Sequence, residues 1–215
     1  MTIKEACVET LDQCIQAEKV GANRIELCAD LASDGLTPGR KLIEEVVKKV
    51  SIPVRVMIRP RAGDFDYSDE EIHEMQESVS YCKEIGVEGV VFGVCTKNRQ
   101  LNIQAIDRLA GLASPLKVTV HKAIDECDDV KIQLKELIKL HNVHSVLTSG
   151  QQATAIDGMP LLSELVELAG DKIEVIACGK ITNLNFDQIH KTLGAKAYHG
   201  KKIVGTLTLP ENIEI

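Results

Sequence analysis

Eight short runs with β-strand character alternate along this sequence with seven stretches of helical period. The β-type runs are apolar and rich in Val and Ile, and they lie near residues 3–8, 24–28, 53–58, 89–93, 117–121, 145–148, 173–178 and 197–200. The helical stretches carry apolar residues three and four positions apart and cover residues 10–20, 38–50, 68–85, 102–113, 129–141, 159–169 and 182–192. This alternation, in units of roughly 28 residues, predicts a parallel α/β fold, because parallel neighbouring strands need a crossover between them.

The number of strands favours a closed TIM-type (β/α)8 barrel over an open, doubly wound sheet. An open sheet that binds dinucleotides has a glycine-rich turn after its first strand, whereas the sequence here reads EACVETLD. We therefore predict one domain over residues 1–215, with the barrel at about 3–200. Residues 201–215 contain β-branched residues, glycine and proline without helical period, so the eighth helix is predicted to be missing or replaced by a short irregular tail.

A barrel without its eighth helix leaves the apolar faces of its first and last strands, and of the helices beside them, partly uncovered. Association with a second copy is the simplest way to bury such faces. We therefore expect a homodimer.

Composition argues against several partners. The net charge is −7 and aromatic residues make up 3% of the chain, so a phosphate backbone would meet no basic field and few stacking platforms, and no nucleic acid is expected as a partner. No run of 18 apolar residues occurs and the N-terminus has no apolar signal segment, so we expect neither a membrane partner nor secretion. Seven cysteines without regular spacing fit a reducing compartment, and the predicted location is the cytoplasm.

The functional end of such a barrel is the mouth formed by the carboxyl ends of the strands. Alternation along the strands puts several polar side chains on the same side, in the groups Glu5 with Cys7, Glu26 with Cys28, Arg55 with Met57, Arg59 and Arg61, and Thr119 with His121. Arg59 and Arg61 are expected to point at Glu26 and Asp125, or at an anionic ligand between them. The alternative is a structural cluster of salt bridges that plugs the barrel.

A second group of candidates points to acid–base chemistry on a small anion. His121 and His199 end two predicted strands, and imidazole titrates near neutral pH, so His121 with Glu26 or Asp125 is a candidate proton carrier. His199 fits equally well as a proton carrier or as a neutral histidine fixed by hydrogen bonds, and it is also a candidate for substrate binding. Further candidates for anion binding are the charged side chains Arg59, Arg61 and Asp64 and the backbone groups at Ser149, Gly150, Thr182 and Asn183.

Cys7 and Cys28 end neighbouring predicted strands on the inward side, so their thiols can approach each other. Soft thiolates favour Cu(I), whereas a structural zinc site asks for four ligands and usually for a C-x-x-C pair. The alternative is that both cysteines are small buried hydrophobic residues.

Five motifs in this order resemble the CutC family of copper-homeostasis proteins: GANRIELC at 21–28, GLTP at 35–38, MIRPRAGDF with YSD at 57–69, VTVHKAID at 118–125 and VLTSG at 146–150. The resemblance extends from about residue 3 to residue 200. It implies a TIM-type barrel, dimeric and cytoplasmic, and Cu(I) bound by the cysteines that match Cys7 and Cys28. Where the family has Gly, Arg and Phe, this chain has Ala62, Lys122 and Ile124, and Lys lacks the bidentate fork of Arg.

Two functional hypotheses follow. The first is a copper-homeostasis protein that binds Cu(I) through the two cysteines at the barrel mouth. The second is an enzyme that acts on a small carboxylate or phosphate through the cluster of Arg, His and acidic residues at the same mouth. Whether the chain has any catalytic activity is left open by the sequence.

Overall fold

A computed structural model describes residues 2–207 and has a closed barrel of eight parallel strands, as the sequence predicted. The strands are β1 (Ile3–Val8), β2 (Arg24–Leu27), β3 (Val54–Met57), β4 (Gly89–Phe92), β5 (Cys95–Thr96), β6 (Gln100–Leu101), β7 (Lys117–Val120), β8 (Ser145–Thr148), β9 (Glu174–Ala177) and β10 (Ala197–Gly200). The two short strands β5 and β6 form an antiparallel ribbon outside the barrel. The barrel closes because β1 pairs in parallel with both β2 and β10.

Seven helices connect the barrel strands, at the positions predicted from the apolar period. They are α1 (Leu11–Lys19), α2 (Arg40–Lys49), α3 (Asp69–Ile85), α4 (Ile103–Ala113), α5 (Val130–Leu137), α6 (Met159–Ala169) and α7 (Phe186–Leu193). Helix α3 shows how local chemistry sets their bounds: Ser68 and Glu71 form a capping box at its start, and Gly86 ends it in the left-handed conformation. Two short 3-10 turns, Leu31–Ser33 and Lys122–Glu126, lie in loops at the mouth.

Helix α7 begins later than predicted, at Phe186 rather than at residue 182. The Thr182 N–H donates to the side chain of Asn185 (2.8 Å), and the Asn183 N–H donates to the carbonyl of Lys202 (2.9 Å). Both backbone groups are therefore satisfied within the chain. The prediction that they face an anion from a helix start is wrong.

The part of the chain described after β10 contains turns and no helix up to residue 207. Ile203 is fully buried, and Lys202 forms an isolated bridge with Thr182, so the first residues of the tail close over one side of the barrel end. Residues 208–215 of the predicted tail lie outside the described residues. Among residues 2–207, no helix has both the length and the apolar character needed to cross a membrane.

A buried ionic layer crosses the barrel toward the amino-terminal ends of the strands. Arg24 forms a salt bridge with Glu5 and reaches Glu174 at 3.1 Å. Arg55 reaches Glu88 at 2.8 Å and donates to the hydroxyls of two neighbouring strands, Thr119 (2.8 Å) and Ser145 (3.0 Å). The barrel does contain a structural salt-bridge cluster, but Arg24 and Arg55 form it, not the predicted Arg59 and Arg61.

Candidate functional site

A cavity of about 1060 Å³ opens at the carboxyl ends of the strands. Apolar, acidic and basic side chains line it together, which is typical of a site for a small polar ligand. The lining includes Cys7, Glu26, Leu31, Met57, Arg59, Asp64, Phe65, Cys95, His121, Lys122, Leu147, Cys178, Lys180, His199, Lys201 and Lys202. The cavity is thus where the (β/α)8 architecture is expected to carry its chemistry.

Two thiols and a carboxylate meet at the base of the cavity. The sulfur atoms of Cys7 and Cys28 are 3.9 Å apart, and the Oε2 atom of Glu26 lies 3.3 Å from the first and 3.5 Å from the second. Register explains the contact, because Cys7 pairs directly with Glu26 in the ladder between β1 and β2. Both thiols are buried, and they pack in a small apolar cluster with Met57 and Val91. The predicted approach of the two cysteines is therefore present in the structure.

His199 joins this group from β10, on the other side of β1. It is in register with Glu5, and its Nδ1 atom lies 2.9 Å from the Glu5 carboxylate. Its Nε2 atom is directed toward Glu26, 3.7 Å from Oε2. One ligand atom each from Cys7, Glu26 and His199 lies within 4.8 Å of the other two, a spacing suitable for a metal ion.

Burial and mutual contact strongly perturb the ionisation of this group. Burial raises the pKa of Glu26 to about 8, against the attraction of His199. A hydrogen bond from the Cys28 thiol holds the pKa of Cys7 well below its usual value despite burial, and the same bond keeps the pKa of Cys28 well above it. For His199, burial opposes the charged form, but the charge of Glu26 together with the contacts to Cys7 and Glu5 outweighs burial, and the pKa lies well above its ordinary value. The arrangement favours a Cys7 thiolate beside a protonated His199.

Glu5 is the last residue in this series of contacts, beyond His199. Burial acts to raise its pKa, but the Arg24 guanidinium, the contacts with His199 and the charge of Arg55 together outweigh burial, so the pKa of Glu5 falls to about 2. Glu5 is thus a fixed carboxylate that orients the His199 ring, as carboxylates do for metal-bound imidazoles.

The expectation that Arg59 and Arg61 point at Glu26 and Asp125 is wrong. The Arg59 guanidinium donates to the carbonyls of three loop residues, Ser33 (2.8 Å), Gly35 (3.3 Å) and Gly63 (2.9 Å). Arg61 binds Asp64 of the same loop at 2.9 Å and Glu71 in the first turn of α3 at 2.6 Å. Arg59 and Asp64 still line the cavity, whereas Arg61 does not.

Asp125, Ser149 and Gly150 do not line the cavity. They lie in two loops that are joined by hydrogen bonds. The Asp125 carboxylate accepts from the Ser149 N–H (2.9 Å), from the Ser149 hydroxyl (3.0 Å) and from the Gln151 N–H (3.2 Å). The Gly150 N–H donates to the Thr148 hydroxyl at 3.0 Å. Their roles in acid–base chemistry and anion binding remain predictions, to which this geometry lends no support. His121, in contrast, lines the cavity with Glu26 and His199.

The cavity is also lined by lysines that the sequence reasoning did not select, among them Lys180, Lys201 and Lys202. These three follow glycines in Cys178-Gly179-Lys180 and Gly200-Lys201-Lys202, directly after β9 and β10. A Gly-Lys pair directly after a barrel strand could have identified these lysines from the sequence, because loops after the last strands of such barrels often bind anions.

Together these features define the class: a (β/α)8-barrel protein with a thiol, carboxylate and imidazole cluster at its mouth. The sequence model of the CutC family matches residues 2–204. The chain belongs to the CutC family.

Relatives agree with this assignment over nearly the whole chain. The human copper homeostasis protein cutC homolog is 39% identical over 197 residues, covering 92% of this chain and 72% of the human one. A CutC family protein of Parabacteroides distasonis is 41% identical over 199 residues, covering 92% of this chain and 81% of that one. The family resemblance drawn from five motifs is thus confirmed.

The fold is shared with solved structures as well. The crystal structure of a CutC protein from Streptococcus agalactiae has a TM-score of 0.89 at 31% identity and covers 94% of this chain and 100% of that chain. A dihydrodipicolinate synthase structure has a TM-score of 0.63 at 16% identity, covering 93% of this chain and 70% of that one. The second likeness concerns the barrel fold alone.

Proposed function

We propose that this protein takes part in copper homeostasis by binding Cu(I) between Cys7 and Cys28 at the barrel mouth. The observation that carries the proposal is the approach of the two sulfur atoms to 3.9 Å in a buried position that adjoins the cavity. Thiolates are soft ligands and select Cu(I) among the ions of a reducing compartment.

The sulfur spacing suits a shared ion. A metal–thiolate bond is about 2.3 Å long in zinc proteins, so two bonds of similar length span at most about 4.6 Å. The separation of 3.9 Å lies inside that span, and both sulfurs can reach one ion with little movement. Glu26 and His199 beside Cys7 offer further donor atoms, of which imidazole is the better match for copper.

Charge also favours a cation here. The site combines the two cysteine sulfurs, the carboxylates of Glu5 and Glu26, and a single histidine. Both thiols must lose their protons on binding, and the charge of Cu(I) then offsets part of the negative charge of the two thiolates.

The direct test is a Cu(I) titration of the reduced protein under anaerobic conditions in competition with a chromophoric chelator. We expect uptake of close to one Cu(I) per chain, because two sulfurs and one histidine serve a single ion. X-ray absorption at the copper edge should then report sulfur ligation. Absence of uptake, or Zn²⁺ displacing Cu(I) at equal concentration, would refute the proposal.

A cytoplasmic location is part of the same proposal. Cys7 and six other cysteines are free and buried in the described structure. A Cu(I)–thiolate site needs reduced cysteines, and the cytoplasm keeps thiols reduced.

We also propose that the protein forms a homodimer. Within residues 2–207 no helix follows β10, and large apolar side chains near α1 and α7 are exposed: Ile15 at 40%, Val20 at 49% and Leu184 at 91%. Burying them against a second copy would stabilise the assembly. Light scattering should give twice the chain mass of 23.5 kDa at micromolar concentration, and Leu184→Asp should shift the protein toward the monomer. A wild-type monomer at that concentration would contradict this.

A further inference from the structure

Arg59 is a buried cation that the fold leaves without a counter-charge. Its exposed fraction is 5%, and the guanidinium donates to the neutral carbonyls of Ser33, Gly35 and Gly63, with no carboxylate paired to it among residues 2–207. Its Nε–H has no partner in that part of the chain. Carbonyls satisfy N–H groups but do not neutralise a charge, and a buried unpaired charge is costly. A guanidinium held this way at a cavity wall is prepared for an anion.

His121 adds a second unpartnered donor in the same wall. Its Nδ1 atom accepts a hydrogen bond from the Ala123 N–H (3.1 Å), so the neutral ring carries its proton on Nε2. Burial, with the nearby Arg59 charge, lowers the pKa of His121 to about 3, and the ring is neutral at physiological pH. The Nε2 atom is buried and has no partner among the described residues, although His121 lines the cavity.

One aromatic ring holds these two residues together. The Phe65 ring centroid lies 4.8 Å from that of His121 and 4.9 Å from the Arg59 guanidinium carbon. The His121 imidazole packs directly against the backbone of Gly93, because a Cβ atom at that position would lie only 2.6 Å from Nδ1. Both free donors therefore belong to side chains that pack against the same ring before any ligand arrives, and preorganised donors bind an anion with little further loss of entropy.

We propose that the barrel mouth binds a small organic anion, with its carboxylate or phosphate held by Arg59 Nε and His121 Nε2. The cavity of about 1060 Å³ has room for an organic body, and Leu31, Met57 and Leu147 provide apolar contacts for it. Lys180 and Lys202 at the rim make the entrance more positive. This binding does not depend on copper, so the metal-free protein can test it.

The experiment is calorimetry and thermal unfolding of the copper-free full chain with inorganic phosphate, glycerol phosphate, succinate and citrate. Succinamide, which has the shape of succinate without its charge, serves as the matched ligand control. We expect at least one anion to bind saturably and to raise the melting temperature, because a ligand that binds only the native state stabilises it. Phosphate compounds and carboxylates in separate arms show which anionic group the site prefers.

Two variants assign the binding to the donors described. His121→Asn keeps a side-chain oxygen that can accept from the Ala123 N–H, because Asn caps helical turns well. The substitution removes the Nε2 donor, so the affinity for the anion should fall about tenfold. Arg59→Met should lower affinity more, by about a hundredfold, because it removes the charge. Lys48→Gln on the exposed face of α2 removes a remote cation and should leave binding unchanged.

Two results of the binding experiment would contradict the proposal. If none of the four anions binds, or if binding persists unchanged in folded His121→Asn, the proposal is wrong. If Arg59→Met does not fold, His121→Asn decides alone. The Cu(I) uptake of both folded variants should equal that of the wild type, so the result for the anion is separate from the result for copper.

Discussion

Replacing Cys7 and Cys28 together by serine is expected to abolish the uptake of Cu(I) while leaving the fold intact. Serine keeps a donor for the Glu26 carboxylate, which lies 3.3 Å and 3.5 Å from the two sulfurs, so no buried acceptor loses its partner. The hydroxyl is a hard ligand and does not replace a thiolate for Cu(I). Competition with a chromophoric chelator should show a fall from about one ion per chain to none, and circular dichroism should show an unchanged barrel.

The control uses two cysteines of similar burial away from the mouth. Cys14 in α1 and Cys82 in α3 are fully buried in the main apolar core, and burial raises the pKa of each to about 12. Alanine is the suitable replacement there, because a hydroxyl would be unsatisfied among apolar neighbours. Cys14→Ala with Cys82→Ala should keep full Cu(I) uptake.

Two other thiols test the assignment itself. Cys95 and Cys178 line the cavity and could supply sulfur in place of the proposed pair. Copper binding that survives in the Cys7/Cys28 double variant and disappears with Cys95→Ser or Cys178→Ser would show that the site has been assigned to the wrong residues.

The barrel was predictable because its signals are local and repeated. Alternating runs of strand and helix period gave the eight barrel strands and seven helices, and the lack of period after residue 200 gave the missing helix within the described residues. The ribbon of β5 and β6 was missed, since strands of two residues are too short for any period to show.

The site was predictable where residues lie in strands and not where they leave them. Cys7 lies in β1 and Cys28 directly follows β2, so alternation and register bring the two thiols together as expected. Strand β3 ends at Met57, and the chain beyond it turns through Pro60, so alternation no longer describes Arg59 and Arg61. Their partners are loop carbonyls, the loop carboxylate of Asp64 and the carboxylate of Glu71 in the first turn of α3, which only the folded chain brings near. Asp125 sits in a 3-10 turn, where the same limit applies.

A cluster of salt bridges inside the barrel was considered from the sequence, but it was assigned to the wrong arginines. A plug of salt bridges was considered for the arginines that follow β3, yet Arg24 and Arg55 form it from within β2 and β3. Both strands are short and buried throughout, so an arginine within them must point into the barrel and find a carboxylate there. Reading each Arg inside a buried strand as a candidate for an ion pair would have identified the layer.

Arg24→Met is expected to lower the free energy of unfolding by about 3–5 kcal/mol. The side chain is 5% exposed and connects Glu5 to Glu174, so its removal leaves two carboxylates without their main counter-charge, and Glu5 is almost completely buried. Methionine fills a similar volume, and the loss therefore reports the charge rather than a cavity. Unfolding in urea, followed by circular dichroism, measures the difference between the variant and the wild type.

The variant Lys48→Met supplies the comparison for an exposed pair. Lys48 lies 3.7 Å from Glu44 on the surface of α2 and is 72% exposed, so its loss should cost no more than about 0.5 kcal/mol. Because Glu5 also orients His199 through a contact of 2.9 Å, Arg24→Met should in addition weaken Cu(I) binding, whereas Lys48→Met should not. If both variants unfold at the same urea concentration as the wild type, the buried layer does not stabilise the barrel and its charges are balanced by other means.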